Sequence, residues 1–247
     1  MNKTIINTSL AALLSTGIAT AYADGITIFM HPKKIIFNPY AKKAKRTLFI
    51  SLENVSKKTA YISMSVFDLS KNMDTQTQKE TLQKSFGIIA LPRKMIVKPG
   101  RTKRLSITNL ITKSKVERDF NLQFIFAKVP KKYSFETTEE KKIGIQVKTK
   151  VITHAYVYVL PAKQEVKTNE KWDADKQALK LTNEGTMSVK YYAGHQCIKE
   201  KCKALQQVFL TPGQTKYLEL PDKNMGEIII RRETVLNRIS PLEMELG

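Results

Sequence analysis

The chain has 247 residues, two cysteines and a formal net charge of +20 at pH 7. This length suits two ordinary domains or one large β-domain. The excess of lysine and arginine favours acidic partners such as nucleic acid, anionic lipid or an acidic protein. After the first residues, no segment approaches the roughly 18 uninterrupted apolar residues of a membrane-spanning helix, which excludes an ordinary helical membrane protein.

The first 23 residues have the pattern of an export signal. Lys3 gives a charged start, Leu10 to Ala21 is mildly apolar, and Ala21-Tyr22-Ala23 fits a small-x-small cleavage site. The pattern predicts cleavage after Ala23 and a soluble exported protein that begins near Asp24. The alternative is an ordinary buried N-terminal helix.

Short segments of alternating apolar and polar residues follow one another, separated by turn residues such as Lys98-Pro99-Gly100 and Thr211-Pro212-Gly213. Regularly spaced short strands of this kind predict two β-sandwiches, divided near residues 161–165. The predicted strands before that point are Ile26–Phe29, Lys34–Phe37, Arg46–Asn54, Ala60–Leu69, Met95–Val97, Arg101–Asn109 and Phe120–Pro130. Those after it are Ala178–Asn183, Ser188–Ala193, Gln207–Leu210, Lys216–Leu220 and Glu227–Arg231.

Residues Lys142–Pro161 read as one strand that is much longer than the usual ~5–6 residues. Its odd positions are mostly aliphatic and its even positions mostly polar. A strand that outruns its sheet leaves backbone groups unpaired, which is a hazard unless the strand captures another chain by strand addition. The plainer interpretation, core packing, is preferred for Val157 and Val159.

Cys197 and Cys202 are separated by four residues, and in an exported protein this spacing predicts a disulfide that closes a β-turn. A zinc site would need more ligands, and His31, His154 and His195 are too scattered to supply them. We therefore expect no metal and no cofactor.

Several of these segments together resemble the periplasmic chaperones of the chaperone–usher pilus pathway. Lys34-Ile35-Ile36-Phe37 is similar to the start of the family's first strand, and Asn54 matches its usual asparagine. Val97-Lys98-Pro99-Gly100 resembles its Pro-Gly turn, Lys142–Leu160 its long strand, and Leu181-Thr182-Asn183-Glu184-Gly185 a segment of its second domain. The resemblance covers most of the chain after residue 23.

The end of the long strand departs from the family. Typical members carry a basic residue there, shortly before an aromatic-Arg-Pro sequence. This chain ends the strand with Tyr158-Val159-Leu160-Pro161, and the position that aligns with the basic residue is Tyr156. The chain therefore resembles an alternative, non-classical branch of the family.

The resemblance implies an all-β fold of two immunoglobulin-like sandwiches set at an angle in an L shape, with domains at 24–160 and 161–247. It implies a periplasmic, non-enzymatic chaperone that lends a β-strand to incomplete pilus subunits and delivers them to an outer-membrane usher. Self-association is expected when no subunit is bound.

The resemblance also assigns the binding residues. The aliphatic row would fill the groove of the subunit, and basic residues on the first and the long strand would clamp its terminal carboxylate. The row consists of Ile143, Ile145, Val147, Thr149 and Val151. The candidates for the clamp are Lys34, then Lys33, with Lys150 on the long strand.

Other classes of function remain open at this stage. The charge would suit an exported module for nucleic acid or anionic glycans, although the aromatic residues do not interleave with a basic stripe. A structural pilus or adhesin subunit would have one incomplete domain instead of two complete sandwiches. An enzyme is disfavoured because there is no nucleophile elbow, no HExxH motif and no Gly-rich phosphate loop, and no pair of carboxylates stands out.

Overall fold

The fold is known from a computed structural model, which describes residues 19–23, 25–69, 87–128, 151–222 and 226–245. Every regular element in these ranges is a β-strand, which confirms the predicted all-β class. No helix in the described part of the chain is long and apolar enough to cross a membrane.

Ten strands precede residue 160 and eight follow it. The first ten are β1 (Ala19–Ala23), β2 (Ile26–His31), β3 (Lys34–Phe37), β4 (Thr47–Asn54), β5 (Ala60–Asp68), β6 (Ile88–Leu91), β7 (Lys94–Val97), β8 (Thr102–Asn109), β9 (Arg118–Lys128) and β10 (Val151–Val159). The others are β11 (Thr168–Asp173), β12 (Ala178–Asn183), β13 (Val189–Ile198), β14 (Lys201–Ala204), β15 (Val208–Leu210), β16 (Thr215–Glu219), β17 (Glu227–Glu233) and β18 (Arg238–Glu245).

The first ten strands form one sandwich, which we call the first sandwich. One sheet has the order β1-β2-β4-β8-β6 and the other β3-β10-β9-β5-β7. Alternation places one face of each strand inside: on β5, for example, Ala60, Ile62, Met64 and Val66 are buried. These residues join a single core to which both sheets contribute.

The remaining strands form the second sandwich around a smaller core. Its sheets have the orders β11-β12-β16 and β14-β13-β17-β18, and β15 pairs with β13. Leu181, Tyr191 and Ile228 are buried between the sheets, and Trp172 packs against them. The two sandwiches agree with the predicted pair of immunoglobulin-like folds.

The same turn device occurs in both sandwiches. In the first, the buried Asn54 side chain donates to the carbonyl oxygens of Lys58 (2.7 Å) and Val97 (2.9 Å), while its Oδ1 accepts from Ser56 N (3.0 Å). Asn54 O accepts from Gly100 N at 2.7 Å, and the φ of +64° at Gly100 is why the Pro-Gly turn needs glycine there.

In the second sandwich, the buried Asn183 side chain plays the same part. It donates to the carbonyl oxygens of Met187 (2.9 Å) and Leu210 (3.2 Å) and accepts from Gly185 N (3.0 Å). Asn183 O accepts from Gly213 N at 2.9 Å, in the second Pro-Gly turn. Two segments that differ in sequence therefore close their turns by the same hydrogen bonds.

Within the described residues the predicted strands are present, although β13 runs on through Cys197. Residues 142–150 of the predicted long strand lie outside the described residues, so its full length stays a prediction. Several strands were not predicted, among them β11 and β18, because their sequences TNEKWD and RISPLEME lack a clear apolar face. Most of the predicted export signal lies outside the described residues. Its last five residues form β1, which pairs antiparallel with β2, and the cleavage after Ala23 stays a prediction.

Candidate functional site

Strand β10 is paired along one edge over its whole length and along the other edge only near its end. Along its whole length it pairs with β9 in antiparallel fashion, from Val151 opposite Phe126 to Val159 opposite Arg118. The short strand β3 covers the other edge, in parallel, only from Tyr156 to Val159. Among the described residues, no strand pairs with that edge of β10 from Val151 to Ala155.

The side chains of β10 follow the predicted alternation. Ala155, Val157 and Val159 are fully buried in the first core, which confirms the core interpretation of the two valines. Val151 is half-buried and packs against the same core. On the opposite face Ile152 is 51% exposed, so the strand becomes less buried towards its beginning.

Most of the predicted subunit-binding row lies outside the described residues. This holds for Ile143, Ile145, Val147 and Thr149 and for Lys150, the predicted second basic residue. Val151 is the one member that the structure places, at the first position of β10. The assignment of the row to subunit binding stays a prediction.

A cleft of about 460 Å³ lies between the two sandwiches. The first sandwich contributes Lys34, Tyr156 and Tyr158, among others, and the second contributes Lys190, Glu233 and Val235. Because strand β3 lies beside β10, the predicted anchor Lys34 stands at this cleft, directly opposite Tyr156 in the strand register.

Lys34 is exposed and makes two contacts in the cleft. Its Nζ donates to the carbonyl oxygen of Val235 at 2.5 Å and lies 6.0 Å from the ring centroid of Tyr158. Lys33, the second candidate, is half-buried and is not among the residues that line the cleft. Its main-chain carbonyl accepts from Tyr156 N at 2.7 Å. Lys34 therefore lies at the cleft and Lys33 does not, and the assignment of an anchor stays a prediction.

Tyr158 lines the cleft with an uncharged side chain. Burial raises the pKa of its phenol above the usual value, and the nearby carboxyl groups of Asp119 and Glu117 raise it further. The hydroxyl therefore keeps its proton and adds no negative charge beside Lys34.

A buried pair of carboxyl groups lies where the sandwiches meet. Glu117 and Asp119 are fully buried at the start of β9. Ser188 of the second sandwich donates its backbone N–H to Glu117 Oε2 at 2.8 Å and its hydroxyl to Asp119 Oδ2. Sequence reasoning did not single out this pair. The signal was the spacing of two residues, which puts both side chains on one face of a strand.

Burial raises the pKa of both carboxyl groups, and the charge of Asp119 raises that of Glu117 further. Among the described residues, Glu117 Oε1 and Asp119 Oδ1 have no hydrogen-bond partner. A proton held by Glu117 and donated to Asp119 would give each oxygen a partner. Arg118, between them in sequence, pairs instead with the buried Asp68.

The predicted disulfide is present. Cys197 and Cys202 are bonded, with their Cα atoms 4.1 Å apart, and close the hairpin of β13 and β14. Within the described ranges, no group of three or more His, Cys, Asp or Glu side chains is arranged to hold a metal ion.

The architecture matches solved structures over most of the chain. The YadV chaperone superposes with a TM-score of 0.62 at 11% identity, covering 89% of this chain and 99% of that chain. The fold is that of pilus chaperones. No protein-family profile matches the sequence, and no curated protein matches it.

Two further matches come from complexes. A chain from the Salmonella enterica SafA pilin in complex with the SafB chaperone has a TM-score of 0.59 and 14% identity, covering 89% of this chain and 96% of that chain. A chain from the CsuC–CsuE chaperone–tip adhesion subunit complex of Acinetobacter baumannii has a TM-score of 0.57 and 16% identity. The match covers 88% of this chain and 97% of that chain. At such identities the likeness establishes a shared fold.

Proposed function

We propose that this protein is a periplasmic chaperone that binds pilus subunits by donating a β-strand and delivers them to an outer-membrane usher. In this proposal residues 1–23 are the cleaved export signal, residues 24–160 form the subunit-binding domain and residues 161–247 form the second domain. In this proposal the chaperone binds the incomplete fold of a subunit non-covalently, and no enzymatic step is needed.

The observation that carries the proposal is the open edge of β10. From Val151 to Ala155 its backbone groups on one side have no strand partner among the described residues. An unpaired edge of this kind is a template for pairing with another chain. The alternating row begins at Ile143 and ends at Val151, the first residue of this edge, so the donated strand would run into it.

Burial of the aliphatic row alone does not guarantee tight binding of a subunit. Burying the four aliphatic members, Ile143, Ile145, Val147 and Val151, yields roughly 6–12 kcal/mol at ~1.5–3 kcal/mol each. Association and ordering offset ~4–15 kcal/mol of that gain. Main-chain hydrogen bonds and a charged anchor must supply the rest. In this proposal the anchor is Lys34, which lines the cleft and would bind the terminal carboxylate of the subunit.

Affinity capture from periplasmic extract tests the proposal. The wild-type chain is compared with Val147→Arg at about 0.3 M salt, which screens non-specific attraction to a basic protein. We expect the wild type to recover a small β-rich subunit stoichiometrically and the variant to recover none, because a charge in the row cannot enter an apolar groove. Mass spectrometry identifies what is recovered.

Gln146→Arg is the matched control, since it adds the same charge one residue away, on the opposite face of the predicted strand. This variant should capture as the wild type does. Unfolding of Val147→Arg would show that the row is core. Recovery of nucleic acid or lipid by all three chains would favour the basic binding module instead.

A further inference from the structure

Among the described residues of the first sandwich, Lys34 is the only basic side chain that lines the cleft; Lys150, the predicted second basic residue, lies outside the described residues. A carboxylate has two oxygens, and one lysine offers a single point charge to them. The neighbour of Lys34 on β10 is Tyr156, its partner in the strand register. The sequence of β10, VITHAYVYV, contains no lysine or arginine, and its one histidine, His154, shares a hydrogen bond with Asn121 Oδ1 at 2.9 Å.

A second lysine reaches the same cleft from the other sandwich. Lys190 lies on β13 and lines the cleft together with Lys34. It is opposite Glu233 in the register of β13 and β17, and its Nζ lies 3.5 Å from Glu233 Oε1. Lys34 binds the carbonyl of Val235, which is two residues from Glu233 in sequence.

Both lysines contact the same short segment of the second sandwich, residues 233–235. Two residues of extended chain span at most about 7 Å, so the acceptors at 233 and 235 hold both lysines close to a single segment. Around this segment the cleft is lined by two lysines and one glutamate. A bound carboxylate would place a second negative charge beside these lysines.

The carboxylate of a ligand could replace that of Glu233 as the partner of Lys190. Charge-assisted hydrogen bonds between ammonium and carboxylate groups are about 2.7–2.9 Å long, and this pair is longer. The side chains of Lys190 and Glu233 are 39% and 33% exposed. Replacing one carboxylate by another at a half-exposed lysine therefore requires little new desolvation.

We propose that Lys190 is the second cationic residue that anchors the terminal carboxylate of the bound subunit, in exchange for Glu233. The inference rests on the proposed function and adds to it a clamp that spans both sandwiches. Lys34 from β3 and Lys190 from β13 would each bind the carboxylate, and Glu233 would hold Lys190 in place while no subunit is bound.

A pair of synthetic peptides tests the clamp. Both are short, alternate valine and threonine, and carry an N-terminal dye; one ends in a free carboxylate and the other in an amide. Fluorescence anisotropy gives Kd for each peptide with each protein. The ratio of the two Kd values isolates the carboxylate, because strand pairing and side-chain burial are common to both peptides.

We expect Lys190→Gln to weaken binding of the free-acid peptide about fivefold, in line with a partly exposed ion pair, and to leave the amide unchanged. Lys190→Arg should restore most of the preference. Glu233→Gln should strengthen binding of the free acid alone, since it removes the competing carboxylate. The control is Lys203→Gln, which removes a lysine of the second sandwich paired with Asp222 at the same 3.5 Å but outside the cleft.

The outcomes separate the clamp from the function that it serves. If Lys190→Gln keeps the wild-type ratio while Lys34→Gln abolishes it, Lys190 is not an anchor and strand capture still stands. If Lys203→Gln reduces the preference for the free-acid peptide as much as Lys190→Gln does, the effect is a general one of charge. That result would also overturn the assignment of Lys190. Failure of both peptides to bind the wild type would count against strand capture itself.

Discussion

The two sandwiches close the same turn with a buried asparagine, and the surroundings of the two turns differ. Asn54 binds only groups of its own sandwich, and two residues later Ser56 donates its hydroxyl to Asn54 Oδ1 at 2.6 Å. In the second sandwich the matching position is Gly185. A Cβ there would lie 2.5 Å from Glu165 O and 2.7 Å from Lys167 N.

The segment that crowds Gly185 is the connection between the sandwiches. Thr186 N donates to Glu165 O at 2.9 Å, and Glu184 N donates to Lys167 O at 2.8 Å. The same turn also receives the first sandwich, because Glu117 N donates to Thr186 O at 2.7 Å. The asparagine turn of the first sandwich therefore stabilises only that turn. The matching turn of the second sandwich also contacts the connection and the first sandwich.

The largest difference is expected from removing each asparagine. Asn183→Ala leaves buried groups of Met187, Leu210 and Gly185 without partners, at about 1–3 kcal/mol each, and should cost at least about 3 kcal/mol in all. Asn54→Ala should cost about 2–3 kcal/mol, since water can reach part of its turn. Urea unfolding measures both values.

The single tryptophan separates the two effects. Trp172 packs against the second core, so its fluorescence reports the second sandwich, while far-UV circular dichroism reports both. Asn183→Ala should shift the fluorescence transition and Asn54→Ala only the circular dichroism. Equal shifts in both signals for both variants would contradict the difference between the turns.

A smaller effect is expected at the position where the turns differ. Gly185→Ala forces the backbone at Glu165 and Lys167 to move and should cost about 1–3 kcal/mol. Ser56→Gly, the reciprocal change, removes one hydroxyl in a half-exposed turn and should cost about 1 kcal/mol or less. Thermal unfolding of both variants checks the order, and a neutral Gly185→Ala would mean that the connection does not press on this turn.

The last prediction concerns the pH dependence of stability that the carboxyl pair at the junction produces. The folded state raises the pKa of Glu117 from its ordinary 4.5 to about 9, so it holds a proton that the unfolded chain releases. Stability should therefore fall as pH rises between these values, by at most about 1.4 kcal/mol per pH unit for this proton, and no effect is expected below pH 4.5.

Glu117→Gln should flatten this dependence, because the amide stays neutral throughout the range. The raised pKa of Asp119 contributes a slope of the same sign and remains in the variant. Lys34 lowers the pKa of Glu117, while Asp68 raises and Arg118 lowers that of Asp119. Urea unfolding at a series of pH values gives the two slopes, and identical slopes would show that Glu117 is ionised in the folded state.

The sequence by itself determined the parts of this protein that depend on neighbours along the chain. Alternation in Ala60–Asp68 and Val151–Val159 fixes which side chains enter the core, and Asn54, Asn183 and the two Pro-Gly turns fix where strands end. The spacing of Cys197 and Cys202 likewise predicted their disulfide. The resemblance to pilus chaperones followed from these local patterns.

Only the tertiary structure decided which residues from distant segments meet. Strand register puts Tyr156 beside Lys34 and so leaves β10 without a basic partner there. The approach of the second sandwich brings Lys190 to the same cleft and buries Glu117 beneath Ser188. Such contacts depend on pairing and burial across long separations in sequence, which periodicity and spacing along one chain do not encode.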